Sequence, residues 1–232
     1  MKDLEDFIID APYNITPADY VLINQASPNG EQSDDWEKSC LDDFKQRVRD
    51  YYRKKQNRRC AYCRTIVRTG QSSPEVEHIV PKSDRPMWMY EPFNLCMSCK
   101  ACNTKKSTKN VLTYKNIATF PYDSQSYLLV HPHIDRYSQH INLIDDILYE
   151  GLTDKGRETI RTCGLNRYEL AADRAEDRIK EERTLDEKAL LALVNHNGQP
   201  LVNVLAKFEE RIHEICEEYN SKQPILTYCR KK

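Results

Sequence analysis

Four cysteines in two pairs, Cys60-Ala61-Tyr62-Cys63 and Cys99-Lys100-Ala101-Cys102, constrain this chain more than any other feature. Each pair has the spacing that lets a short segment offer two thiolates to one cation, and two such pairs make up the four ligands of a structural Zn²⁺. About 35 residues separate them. A cation held by all four would clamp both ends of that segment into a small module whose own core is too small to fold unaided. A redox role would need a βαβ context, and the flanking sequence has none. The other cysteines, Cys40, Cys96, Cys163, Cys216 and Cys229, read as ordinary thiols, although Cys96 lies close enough to Cys99 to compete for the metal.

The segment between and after the pairs carries hydrolytic chemistry. Val76-Glu77-His78-Ile79-Val80-Pro81 sets a carboxylate beside a histidine; Asn94-Leu95 follows, and then Asn103-Thr104-Lys105-Lys106. Phosphodiester cleavage needs an activated water, a cation on the phosphate oxygens and positive charge for the transition state. Neutral His78 suits the first task. Glu77 and Asn103 offer oxygens to a hard cation such as Mg²⁺ or Mn²⁺. Lys105 and Lys106 are candidates for phosphate contact. One constraint stands against a flat strand: neighbours on a strand face opposite ways, so Glu77 and His78 share a site only if the strand twists, bulges or ends there.

Net charge is −1, which selects no partner, but its distribution does. Lys45 to Arg68 holds ten Lys/Arg and one acid, Asp50, and Lys100 to Lys115 holds five lysines and no acid. Basic runs on both sides of the motif favour a polyanion. No apolar run approaches the roughly 20 residues of a membrane span. Met1 to Asp6 is acidic and lacks a signal-peptide core, so the expected compartment is cytoplasmic.

The expected architecture is α+β. Residues 1–35, punctuated by Pro12, Pro17, Pro28 and Gly30, read as a flexible or partner-binding arm. Residues 36–57 read as a basic amphipathic helix capped by Asp34 or Asp35, with Trp36, Cys40, Phe44, Val48 and Tyr51 on its apolar face. Residues 58–115 form the motif module, with a strand near Val76 to Val80 and a short helix from about Cys99. Residues 116–232 read as a mostly helical region. In it Thr153 caps a helix that Gly164 ends, a second starts near Leu165, a third follows Asp186, and the last begins after Pro200 with a stripe from Leu201 to Tyr219. His131, His133, Asp135 and His140 could make a second metal cluster, but the Pro132-interrupted pattern favours a packed, structural segment.

The constellation Cys60/Cys63, Glu77-His78-Ile79-Val80-Pro81, Asn94-Leu95, Cys99/Cys102-Asn103 resembles the HNH endonucleases, the ββα-metal superfamily. The resemblance implies a zinc-stapled ββα-metal core. It implies His78 as general base, Glu77 and Asn103 as ligands of the catalytic metal, and Asn94 as the residue that fixes the loop orienting His78. Asn103 stands where histidine is common in that family. Leu129 to Asp135, His140-Ile141, and Gly151 through Leu165-Asn166-Arg167 are similar to the C-terminal part of PtuB-like HNH proteins of Septu and retron-associated anti-phage systems. That likeness implies a PtuA-like ABC/SMC-type ATPase partner, with a retron reverse transcriptase and its RNA-DNA product as further company. The substrate it implies is DNA or RNA, tRNA included. The competing reading is a non-catalytic, zinc-stabilised nucleic-acid-binding or assembly subunit, in which the cysteines matter and His78 does not.

Overall fold

The computed structural model describes residues 7–67, 75–145 and 147–181, together with His213 and Glu217. It is α+β and divides into two units, Met1–Asn166 and Arg167–Lys232. Besides His213 and Glu217, the described part of the second unit is one helix, α5 (Tyr168–Glu181), preceded by the Leu165-Asn166-Arg167 start expected from sequence. Everything that positions the site lies in the first.

Its centre is an antiparallel hairpin of β1 (Glu75–His78) and β2 (Leu95–Ser98), with Glu75 opposite Ser98 and His78 opposite Leu95. All four residues of β2 are buried, so this strand is core rather than edge surface. A short helix, α3 (Lys100–Lys106), follows directly. Its cap is Cys99, whose sulfur accepts a hydrogen bond from the Cys102 amide. One candidate ligand thus also starts the helix that carries Asn103 and Lys106.

Helix α2 (Asp42–Lys55) packs on this hairpin through Phe44, Val48 and Tyr52, four residues apart and buried. The residue after it is fully buried too. Gln56 donates from Nε2 to the Met97 carbonyl at 2.8 Å and accepts from the Met97 amide at 2.8 Å. The side chain imitates a neighbouring strand and locks the helix end to β2. Tyr52 adds a hydrogen bond to the Pro92 carbonyl at 2.7 Å.

The helix does not begin where the sequence suggested. Ser33–Glu37 and Ser39–Leu41 are separate 3-10 turns. Lys38 between them is extended, at φ −66° and ψ 136°, so no continuous helix can run from Asp34 or Trp36. Trp36 is therefore free of any helical face and turns toward the hairpin.

The loose arm expected over residues 1–35 is also corrected for residues 7–35. Helix α1 (Pro17–Ala26) carries a full capping box of Thr16 and Asp19, with Pro17 at its start. Proline fits the first turn of a helix because its missing N–H would have had no partner there. Asp19 is buried, accepts from the Tyr13 hydroxyl at 2.8 Å and pairs with Arg47 of α2 at 2.6 Å. The prolines mark boundaries of ordered elements, not a tail.

Residues 116–166 depart from the mostly helical expectation by a second hairpin, β3 (Ile141–Ile144) and β4 (Leu148–Gly151). Strands this short, with no alternation of apolar and polar residues, leave no periodic trace. Helix α4 (Asp154–Cys163) follows, capped by Thr153 and ended by Gly164 in the left-handed conformation. This region props the first cysteine pair from behind: Tyr137 donates to the Tyr62 carbonyl and Tyr149 to that of Cys63. The helices expected after Asp186 and Pro200 lie outside the described residues.

Candidate functional site

The four cysteines converge. Cys60 and Cys63 sit on a tight loop where Cys60 donates its amide to the Thr65 carbonyl and Ala61 to that of Met97. Arg64 takes a positive φ of 58° to close it. Cys99 and Cys102 approach from the start of α3. All four ligand sulfurs lie within 4.8 Å of one another, and Cys63 and Cys99 are 3.8 Å apart. Sulfurs bound ~2.3 Å from one tetrahedral ion stand roughly 3.8 Å from each other. The donor set and the spacing fit Zn²⁺. Burial pushes the Cys60 thiol up, while hydrogen bonds from its neighbours push Cys63 down. Cys96, the possible competitor, is buried on β2 and is not a member of the cluster.

Beside this cluster lies a cleft of about 940 Å³. Glu75, Glu77, His78, Asn103 and Lys106 line one wall, and Arg49 and Arg53 of α2 help to line it as well. Glu77 and His78 share the cleft because β1 ends at His78, so the strict alternation of a longer strand does not apply.

His78 is held on two sides. Its Nε2 lies 3.1 Å from the Met89 carbonyl, and Trp36 stacks edge-on against the ring at a centroid distance of 4.4 Å. A carbonyl can only accept, so Nε2 carries the proton and Nδ1 keeps the lone pair. Burial lowers the imidazole pKa to about 3, so the ring is neutral at ordinary pH.

Asn94 is fully buried and ties the loop between the strands. Its Oδ1 accepts from the Val80 amide at 2.7 Å, and its Nδ2 donates to the carbonyls of Val80 and Trp88 at 3.1 and 3.0 Å. The loop so fixed includes Met89, the partner of His78.

The two acids of β1 face α3. Asn103 donates from Nδ2 to Glu75 Oε2 at 2.7 Å. That bond fixes which end of the amide is the oxygen and leaves Oδ1 without a donor among the described residues. Glu77 pairs through Oε1 with Lys106 at 2.6 Å and accepts more weakly from Tyr62 at 3.3 Å. Burial nonetheless pushes its carboxyl above the usual range. The free oxygens here are carboxylate and amide oxygens, which suit a hard cation.

The comparisons with known proteins agree with this geometry. The family model described as HNH endonuclease matches residues 60–109. The matched segment holds both cysteine pairs, Glu77, His78, Asn94 and Asn103. The Septu protein PtuB of Bacillus thuringiensis is 31% identical over 113 residues, which cover 49% of this chain and 38% of that protein. The aligned part thus spans about two-fifths of the length of that curated relative.

Of the two expected phosphate contacts in the matched segment, Lys106 lines the cleft but is committed to protein groups, and Lys105 lies away from it. Lys106 is 1% exposed, and its ammonium is committed to Glu77 and to the His78 carbonyl at 2.9 Å. It cannot reach a phosphate without abandoning a buried carboxylate. Lys105 packs near Gly164 at the end of α4 and is not among the described residues lining the cleft. Sequence reasoning also missed Trp36 and Glu75. The cue for Glu75 is its place two residues before Glu77, on the same face of β1. No comparable signal marks Trp36.

The histidines after residue 130 form no metal cluster among the described residues. Asp135 accepts from the His131 amide and pairs with Lys155. His133 donates from Nε2 to the Leu95 carbonyl at 2.7 Å, fastening this segment to β2. No helix among the described residues is long and apolar enough to cross a membrane.

Proposed function

We propose that this chain is a divalent-metal-dependent endonuclease that hydrolyses phosphodiester bonds of DNA or RNA. The single observation that carries the reading is the convergence of His78, Glu77 and Asn103 on one cleft, with Asn94 fixing the loop behind them. In this reading Nδ1 of His78 takes the proton of the attacking water, because Nε2 is already given to Met89. A phosphodiester in the cleft puts negative charge beside the ring and raises its proton affinity, opposing the effect of burial. Glu77 and Oδ1 of Asn103 hold Mg²⁺ or Mn²⁺, which when bound supplies charge for the phosphate oxygens and the leaving group. Glu75 orients the Asn103 amide. Zn²⁺ on the four cysteines keeps β1, β2 and α3 in register and takes no part in the chemistry.

The likeness to a Septu PtuB protein supports a place in an anti-phage complex with a PtuA-like ABC/SMC-type ATPase. A nuclease loose among its host's nucleic acids needs a partner that restrains or recruits it.

The deciding experiment incubates the chain, alone and with a PtuA-like ATPase, with plasmid DNA and with total RNA in Mg²⁺ and in Mn²⁺. Cleavage is expected, and His78→Ala should reduce it by roughly 10²-fold or more, the usual worth of a general base. Zinc content and far-ultraviolet circular dichroism should stay unchanged. Equal cleavage by His78→Ala would overturn the assignment.

A further inference from the structure

The cleft has a second wall that the nuclease motif does not supply. Lys45, Arg49 and Arg53 of α2 recur at four-residue intervals and all line it. At ~1.5 Å rise per residue, successive rungs of such a stripe stand about 6 Å apart along the helix. The cations near the cleft differ in what they are already doing. Lys45 pairs with Asp42 at 2.7 Å, and Lys82 with Glu37 at 3.3 Å. Arg47, on another side of the same helix, is fixed by Asp19. Arg53 has neither an ion pair nor a hydrogen bond among the described residues, and Arg49 has only the neutral Gln46. The Nε atoms of both arginines are withdrawn from solvent without a partner. A guanidinium nitrogen withdrawn from water with no acceptor is costly, and an anion reaching the half-exposed fork would satisfy it. The helix cannot swing away to relieve it, because Gln56 and Tyr52 bolt its end to β2 and to the Pro92 carbonyl.

We infer that Arg49 and Arg53 are phosphate-binding residues, which grip the sugar-phosphate backbone of the strand lying in the cleft opposite His78. The inference rests on the nuclease reading for its ligand. It moves the cationic half of the site from α3, where Lys106 is held by Glu77 and Lys105 does not line the cleft, to a helix outside residues 60–109. Guanidinium forks meet phosphate oxygens in pairs, so these side chains set where the backbone lies rather than which base is read.

The test measures binding, not cutting. Full-length chain carrying His78→Ala is titrated, without added divalent cation, against fluorescein-labelled single-stranded DNA and RNA of one sequence, at several salt concentrations. Loss of two phosphate contacts should lower the slope of log K against log salt by about 1.4 on a single strand. Arg49→Gln/Arg53→Gln is expected to show that drop with DNA, with RNA or with both, and the pattern identifies the polymer. Arg49→Lys/Arg53→Lys should recover most of the slope, and zinc content checks that each variant is folded. Lys54→Gln/Lys105→Gln removes the same charge away from the cleft and should leave the slope in place. An unchanged slope in the glutamine pair, or an equal drop in the Lys54/Lys105 control, overturns the inference. If the parent chain with His78 intact cuts nothing while the glutamine pair shows the drop, the nuclease reading alone fails.

Discussion

Lys106 and Glu77 form an ion pair of 2.6 Å in which the two side chains are 1% and 5% exposed. Lys106 belongs to α3 and Glu77 to β1, and the same ammonium also bonds the carbonyl of His78. It therefore joins helix to strand at the residue on which the proposed chemistry turns. A buried pair is weak evidence of net stabilisation, because both charges lose their water. Breaking one is another matter, since it strands the remaining charge.

Lys106→Met is accordingly expected to destabilise the chain by roughly 3–5 kcal/mol. For a chain of this size the drop in Tm is on the order of 10 °C. Lys106→Met/Glu77→Gln should regain most of the loss, because the stranded carboxylate is gone. Thermal unfolding followed by circular dichroism reads both. A lysine serving phosphate at the surface would instead leave Tm unchanged when replaced and weaken nucleic-acid binding.

Asn94→Ala removes three hydrogen bonds at once and leaves the Val80 amide and carbonyl without their partner inside the protein, while the Trp88 carbonyl keeps only the Glu91 amide. Each buried orphan costs about 1–3 kcal/mol. Since the loop holding Met89 is then free to shift, the His78 ring loses its anchor. Cleavage is expected to fall mainly through kcat, with zinc still bound. A kcat equal to that of the parent would show that the loop keeps His78 in place without Asn94.

The cysteine cluster predicts one Zn²⁺ per chain by native mass spectrometry. Cys60→Ser should lower zinc occupancy and unfold the motif region, since structural zinc contributes about 10–16 kcal/mol in small zinc-bound peptides. Tyr62, Tyr137 and Tyr149 pack around the Cys60–Cys63 loop, so near-ultraviolet circular dichroism reports its collapse. A chelated protein with unchanged spectra and Tm would remove zinc from the account of the fold.

The cysteine cluster is legible in the sequence because a thiolate metal site would fix both residue type and spacing. So are the ends of α4, where Thr153 and Gly164 carry local cap chemistry. The structure of residues 7–41 is not, because it depends on the pairing of Asp19 with Arg47, distant in sequence and without a periodic signature. Hairpin β3–β4 is hidden by its shortness. The reach of Lys106 is misjudged for a related reason. Sequence places a lysine on α3, but only tertiary packing shows that Glu77 lies under it. Trp36 meets His78 because Lys38 breaks the helix, and that break follows from no residue preference.

The buried histidines set the response to acid. Burial lowers the pKa of His78 to about 3 and of His133 to about 4, and pushes His131 well below its ordinary value. In the unfolded chain all three take up protons near pH ~6.5. The folded state then binds fewer protons than the unfolded state between those values, so stability rises with pH across the window. The stabilisation is fully present above pH ~6.5 and is lost as pH falls toward 4 and then 3. For His133 alone the loss between pH 7 and 5 is about 2 kcal/mol. His133→Gln keeps a side-chain donor within reach of the Leu95 carbonyl and removes the titration. Its Tm at pH 7 is expected to fall modestly, and its further fall from pH 7 to 5 should be smaller than that of the parent by about 4–8 °C. Parallel Tm curves for parent and variant would mean that His133 is not held neutral by its burial against β2, and that its segment opens to solvent as pH drops.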